Sequence, residues 1–571
     1  MYPLNITSAV PTSPPNNINR CRISDARRSV TYHPSVWGNH FLRYTSHVIT
    51  EISVPEKEEL ERQKETVRNL LTAAQMEDDS LVHKLQLIDA IQRLGVAYHF
   101  EDEIEKSLRR MYDGGEDNIN NNDLHFVALR FRLLRQQGHH VPCDVFNKFI
   151  DEEGDFKESI TANNVQGVLS LYEAAHLAID GEDILDKAIS FCTSFLESYL
   201  VDQKNNNIYL AKQVSEALDN PIHKSVIRLG ARKFISIYQE NESHDKTLLN
   251  FAKLDFNIVQ KIHQKELGDL TRWWKDLDFA NKLPFARDRM VECYFWILAV
   301  YFEPKYNVAR TILTKIIALA SIADDIYDVH GTLDELELFT DFIQSWDVTA
   351  LEQLPRQYMR IYSRALLDVY DEIEDEMTKI GTSYRLHYAN EEMKKLMRAY
   401  LEEAKWCYSN YTPSTMEEYM KVSLVSAGYM MASTLSLVGM DENTVTNEHF
   451  DWITSEPLIV RASSTVARLM DDIVGYECEE KISAVDCYMK ENGCSKTEAI
   501  AELGKQVKTA RKDINKECIS TTASDLPIVL RVLNLTRLID LLYSGEDGYT
   551  NSKTKTKEII KSVLVEPLSI N

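Results

Sequence analysis

Two acidic clusters on separate stretches of the chain have residue types and spacing suited to holding cations. The first is Asp324, Asp325 and Asp328 in SIADDIYDVHGT, and the second is Asp471, Asp472 and Glu479 in ARLMDDIVGYECE. At helical periodicity Asp324 shares a face with Asp328, as does Asp471 with Glu479 two turns on. Like charges four apart cost a helix roughly 0.2–0.5 kcal/mol per pair, so such stacks beside apolar runs point to a cationic partner, with a group of divalent ions the obvious one. Spacing alone does not decide, because 88 Asp+Glu in 571 residues would give about two acid-acid-x-x-acid matches by chance. Asp371-Glu372-Ile373-Glu374-Asp375 and Glu101-Asp102-Glu103-Ile104-Glu105 are such matches. Context separates them: uncharged residues from Ile316 to Ala323 precede Asp324, whereas the others lie among Lys, Arg and further acids and read as solvated faces.

Three arginines frame the clusters. Arg287 and Arg289 stand in LPFARDRMVECYFW, and Arg468 lies three and four residues before Asp471 and Asp472, where it can also simply pair with Asp472 on its own helix. Guanidiniums contact phosphate bidentately without losing charge. Acids to hold magnesium, magnesium to hold phosphate and arginines to cap it make a coherent set, since Mg2+ takes only one or two carboxylates and fills its octahedron with water and phosphate oxygens. Trp296, Tyr543 and Tyr549 are candidates for a cation-facing apolar wall, against a background in which any single aromatic more often packs a core. The segment from Tyr543 through Asp547 to Tyr549 is a Gly-bearing loop and a candidate lid. Gly475 costs a helix about 1 kcal/mol against Ala, and its missing side chain leaves room for a water or metal ligand, or for a packing contact.

The elements that must position these residues are helices. Gly and Pro number 19 and 15 in 571 residues, about half the usual share, and no sustained Val/Ile/Thr alternation argues for sheets. The chain is too long for one ordinary core and predicts two all-α domains. Shorter helical blocks with polar breaks run to residue 250, and longer apolar helices follow at 290–302, 307–323, 393–408, 416–438 and 457–478. The polar segment NESHDKTLLN places the boundary at 250/251, dividing a helical domain over 37–250 from a second over 251–571 that carries both acid clusters. Residues 1–26, rich in Pro, Ser, Thr and Asn with no acid before Asp25, read as a disordered start.

The net charge of -24 argues against nucleic acid and anionic membranes as partners, and no apolar run reaches 18 residues. Nine scattered cysteines without C-x-x-C predict reduced thiols in an intracellular protein.

These residues carry a resemblance to plant class I terpene synthases over nearly the full length. Asp324-Asp325-Ile-Tyr-Asp328 matches the family's aspartate-rich motif, and Asp471-Asp472-Ile-Val-Gly475-Tyr-Glu-Cys-Glu479 its second metal motif, with Gly where Thr or Ser is common. Arg287-Asp288-Arg289 matches the diphosphate-binding arginine motif, and Arg468 its partner arginine. Arg27-Arg28 with Trp37 resembles the N-terminal strand that caps the active site, here within residues 1–36, although Asn39 replaces the more frequent Asp. Blocks such as LIDAIQRLGVAYHFEDEIE and FAKLDFNIVQKIHQKELGDLTRWWKDLDF are closer to the angiosperm sesquiterpene synthase subfamily than to monoterpene synthases.

The resemblance implies a class I helical bundle holding three Mg2+ ions, for which Mn2+ can substitute, on Asp324, Asp325, Asp328, Asp471, Asp472, Gly475 and Glu479. It implies a prenyl diphosphate gripped by Arg287, Arg289 and Arg468, and carbocation chemistry beside Trp296, Tyr543, Asp547 and Tyr549. The expected reaction is ionisation and cyclisation of farnesyl diphosphate by a cytoplasmic monomer, the leader before Arg27 being short for a transit peptide. A plastid diterpene synthase acting on geranylgeranyl diphosphate is the alternative within enzymes, and a non-catalytic helical interaction protein the alternative outside them.

Overall fold

The Asp245 side chain accepts a hydrogen bond from the Leu248 backbone N–H at 2.8 Å and caps a helix, Lys246–Leu277, that serves both halves of the molecule. Its first turns bury Leu248, Phe251 and Phe256 in one hydrophobic core. Its later turns bury Val259, Leu267, Leu270 and Trp274 in a second. The change of core falls between Phe256 and Val259, inside the helix, so the expected boundary at 250/251 cuts an unbroken element.

The structure, a computed structural model, describes residues 32–46, 50–73, 78–114, 122–160, 164–201, 207–476, 481–522, 524–543, 548–550, 552–553 and 555–570. Glu479, Asp547, Arg27, Arg28 and the expected disordered start lie outside them. Among the described residues the regular elements are helices, and the one β-type pairing is an isolated bridge between Ile150 and Phe156. The capping strand expected within 1–36 is not seen in its described part, residues 32–36.

Each chain end packs on the other half. Trp37, Phe41 and Tyr44 belong to the C-terminal core, while the Leu568 N–H and carbonyl bond to the Asn257 side chain, both at 2.8 Å.

The helix Asn307–Asp325 carries the first acid cluster at its end. It is anchored by Arg310, whose guanidinium grips Glu266 of the long helix at 2.7 and 2.8 Å and donates to the Tyr301 and Glu303 carbonyls. Ile316, Leu319 and Ile322 are buried on its core face, each contributing about 1.5–3 kcal/mol. The helix expected over 416–438 is broken instead into Met416–Ser426 and Tyr429–Leu435. Gly428, at φ 77°, takes the left-handed conformation that the break requires.

Between the halves runs a crevice of about 630 Å³ whose walls include Glu173, His223 and Arg537. Glu173 accepts the Ile222 N–H at 2.8 Å, and burial pushes its carboxyl up to about 7. The folded chain therefore keeps a proton that an unfolded chain releases near pH 4.5, and stability falls by about 3 kcal/mol as pH rises through that window. Glu173→Gln, which keeps the acceptor, is expected to raise the thermal midpoint at pH 8 far more than at pH 4.5. An equal shift at both pH values would remove this proton from the account.

Candidate active site

The described acids of both clusters sit where helices end. Asp324 and Asp325 close the helix Asn307–Asp325, and Asp328 follows in a π turn, Ile326–His330, closed by the Gly331 N–H on the Ile326 carbonyl at 2.8 Å. Asp471 and Asp472 lie in the last turns of Leu458–Gly475. Carboxylates at the negative end of a helix dipole are unfavourable by about 0.3–1 kcal/mol each, so both positions require cations. The two ends converge on one cavity of about 40 Å³, lined by Asp324, Asp328, Arg468, Asp472, Gly475 and Lys481, which is room for a water or an ion. Asp471 is not part of this wall.

The chain supplies cations of its own. The Arg287 backbone N–H donates to Asp325 Oδ2 at 2.7 Å and its Nη2 to Asp324 Oδ2 at 2.5 Å. Its Nε lies 2.9 Å from Asp325 Oδ1 without hydrogen-bond alignment. Arg468 pairs with Asp471 and, at 2.5 Å, with Asp472 Oδ1. The other Asp472 oxygen accepts the Tyr419 hydroxyl at 2.7 Å and the Ala484 N–H at 2.8 Å. Lys481 pairs with Asp328.

Burial opposes charge on Asp324, but Lys481 and Arg287 outweigh it and hold this carboxyl below its ordinary value. Burial pushes Asp328 up to about 7 against the pull of Lys481. Burial likewise raises Asp325 against Arg287 and Glu403, another wall residue, against Arg468. The site thus holds more carboxyl groups than its own cations neutralise.

That imbalance fits a hard divalent ion, since the donors are carboxylate oxygens in a small polar space. Among the described residues no three carboxylate, imidazole or thiolate groups converge on one point. Magnesium does not need them to, because water and phosphate oxygens complete its shell.

On the far side of Arg287 stands an aromatic pair. Trp296 and Tyr549 have ring centroids 4.3 Å apart, and the Arg287 guanidinium carbon lies 5.1 Å from the Tyr549 ring and 5.5 Å from that of Tyr32. The Tyr549 hydroxyl bonds to Ser321, one turn before Asp324 on the acid helix. Tyr543 caps the helix Leu526–Leu542 and is half-buried against the same core.

Arg289 departs from the expected phosphate-facing placement. It is 2% exposed and donates to backbone carbonyls of the two chain ends rather than toward the acid clusters. Asp288, between the two arginines, accepts the Trp274 indole N–H at 2.9 Å and so fixes the loop on the long helix.

Sequence reasoning missed Lys481, Glu403, Tyr419 and Tyr32. Lys481 follows the second acid cluster directly and was visible as the first cation after it. Glu403 and Tyr419 carry no local signal, because they reach the cavity only through the packing of Arg385–Ser409 and Met416–Ser426 against the acid helices.

Comparison with known proteins gives the same site a lineage. Residues 275–513 match the model of the terpene synthase family, metal binding domain, and residues 36–218 that of the terpene synthase N-terminal domain. A germacrene-D synthase of Ocimum basilicum is 58% identical over 563 residues, covering 99% of this chain and 100% of that protein. A beta-caryophyllene synthase of Lavandula angustifolia is 59% identical over 548 residues, covering 96% and 98%. The crystal structure of isoprene synthase from grey poplar, Populus x canescens, in complex with three Mg2+ ions and dimethylallyl-S-thiolodiphosphate, superposes with a TM-score of 0.84 at 34% identity, covering 90% of this chain and 98% of that one. With paired acid-bearing helix ends, both domain models matched and relatives alike from end to end, the chain belongs to the terpene synthase family.

Proposed function

We propose that this protein is a sesquiterpene synthase that ionises farnesyl diphosphate, cyclises the resulting cation and releases diphosphate, with Mg2+ as its metal and Mn2+ as a substitute. The observation that carries the reading is the convergence of two acid-bearing helix ends, each with its arginine, on one cavity beside an aromatic pair. The C15 substrate class is supported by relatives named for germacrene D and beta-caryophyllene at 58% and 59% identity.

Asp324 and Asp328 would hold metal on one wall and Asp472 on the other, with Gly475 leaving space at the backbone, and Asp471 and Glu479 are proposed as further ligands on their motif alone. When bound, magnesium supplies Lewis acidity and positive charge to the diphosphate oxygens. Arg287 and Arg468 each keep a buried Nε–H without a hydrogen-bond partner among the described residues, and both turn these donors to the diphosphate as charge grows on it. The carbon–oxygen bond breaks with its electron pair going to diphosphate, leaving an allylic cation. Arg287 lies between Asp324 and Tyr549, so a diphosphate held there delivers that cation to the Trp296 and Tyr549 rings, worth about 0.5–2 kcal/mol each. The final proton passes to the retained diphosphate, with Tyr549 and, on its motif alone, Asp547 proposed to assist that step, so no activated side-chain nucleophile is used.

The test is product analysis by gas chromatography, with diphosphate release, on C10, C15 and C20 diphosphates with and without Mg2+. Metal-dependent cyclic C15 products are expected. Preference for the C20 substrate, together with plastid import of a fluorescent fusion of the full chain, would favour the diterpene alternative over a cytoplasmic monomer. No release from any substrate would favour a non-catalytic helical protein. Trp296→Leu and Tyr549→Leu are expected to raise early and acyclic products about 5- to 30-fold relative to the main product, the partition change for a loss of about 1–2 kcal/mol. Unchanged ratios in both variants would sink the aromatic assignment.

A further inference from the structure

Of the three arginines near the site, Arg289 alone has every donor occupied. Its Nε–H goes to the Tyr549 carbonyl at 3.3 Å. One Nη1 hydrogen goes to the His33 carbonyl at 3.2 Å and the other to the Asp288 carbonyl at 3.0 Å. Nη2 donates to the Thr550 carbonyl at 3.1 Å and to His33 Nε2 at 3.0 Å. A guanidinium has five N–H bonds, and all five are accounted for. The His33 ring agrees: its Nδ1 lies 2.9 Å from the Pro34 carbonyl and donates to it, which leaves Nε2 the acceptor of a neutral tautomer. Arg287 and Arg468 are paired with carboxylates and each retain an Nε–H with no hydrogen-bond partner among the described residues.

The residues Arg289 joins are also those that cover the site. Tyr32, next to His33, sets its ring 5.5 Å from the Arg287 guanidinium carbon. Tyr549 presents its ring to Arg287 and Trp296. Thr550 Oγ1 accepts from Arg287 Nη1 at 3.4 Å. One guanidinium therefore fastens segments some 256 to 261 residues away in sequence over the arginine that faces the acids.

We propose that Arg289 is a positioning residue, not a diphosphate ligand: it clasps the His33 and Tyr549–Thr550 segments together over the site and so excludes water while a carbocation is present. The proposal rests on the terpene synthase reading. A carbocation that meets water forms a bond from the water oxygen to the cationic carbon, then loses a proton to give an alcohol. The clasp works by preventing that encounter. Lysine cannot replace Arg289 in it, because an ammonium has three donors and lacks the planar fork.

The test compares Arg289→Lys and His33→Ala with Arg287→Lys in the full chain. Affinity for inorganic pyrophosphate with Mg2+ is measured by calorimetry, and incorporation of ¹⁸O from labelled water into products by mass spectrometry. Arg289→Lys is expected to keep pyrophosphate affinity within about twofold and to raise the water-derived fraction several-fold. His33→Ala, which removes one acceptor and leaves Arg289 in place, is expected to shift the same fraction less. Arg287→Lys is expected to lose pyrophosphate affinity tenfold or more. A tenfold loss in Arg289→Lys overturns the proposal, as does an unchanged ¹⁸O fraction. If Arg289→Lys does not fold, His33→Ala decides by the same two readouts. Failure of Arg287→Lys to weaken pyrophosphate binding would instead count against the diphosphate site itself, so the two failures are distinguishable.

Discussion

Asp324→Asn and Asp328→Asn are each expected to lower turnover by roughly 10²–10³-fold or more, the scale for removing a group that supports transition-state charge, while leaving the fold intact. Asparagine keeps the shape and removes the charge. At a helix C-terminus that change relieves an unfavourable dipole contact by about 0.3–1 kcal/mol. For Asp328, whose carboxyl burial already raises to about 7, the charge removed is one the folded chain holds at a cost. For Asp328→Asn activity and stability should therefore move apart, with the thermal midpoint unchanged or slightly higher. Asp324→Asn, which takes the charge from a carboxyl that Lys481 and Arg287 hold ionised, should instead lower the midpoint. Both should raise the Mg2+ concentration for half-maximal rate. The controls are the sequence look-alikes. Asp371 is exposed, and Glu101 pairs at 3.1 Å with Lys305 across a half-exposed surface, so Asp371→Asn and Glu101→Gln should change turnover less than about twofold. A comparable loss at those positions would mean that structural acids had been mistaken for metal ligands.

How far the site was legible depends on how local its causes are. The uncharged run from Ile316 to Ala323 is a local fact, and in three dimensions it is the buried face that carries Asp324 to the cavity. The absence of sheets likewise follows from composition and pattern. That both clusters stand at helix ends was not legible, because the π turn after Asp325 is fixed by a hydrogen bond from Gly331 rather than by side-chain periodicity. Asp471 and Asp472 are adjacent in sequence, and only packing against Tyr419 and Ala484 decides that Asp472 faces the cavity. The placement of Arg289 was the least readable, since its partners lie at the two ends of the chain. The expected boundary at 250/251 falls inside a helix for a related reason. Asp245 does signal a helix start, yet the cores change hands a few turns later, within a helix whose two stretches carry the same kind of apolar residue.

Arg287→Lys and Arg468→Lys are expected to lower kcat/KM for the C15 substrate by roughly 10²–10³-fold, through loss of preorganised donors at the departing diphosphate. Lysine rather than alanine makes the informative variant. Arg287 is the cation on the 1%-exposed Asp325 side chain, and leaving that carboxylate unpaired would cost about 3–5 kcal/mol and confuse stability with chemistry. Lysine keeps the charge but not the planar fork that reaches two acids and a phosphate together. The same holds at Arg468, which spans Asp471 and Asp472. Because both arginines act before the cation forms, the ratio among the remaining products should stay as in the unaltered enzyme, in contrast to Trp296→Leu, Tyr549→Leu and Arg289→Lys. Single-turnover ionisation rates and product profiles for the same preparations separate these outcomes. If Arg287→Lys ionises its substrate at the normal rate yet scatters its products, the guanidinium belongs with the covering elements and not with the diphosphate.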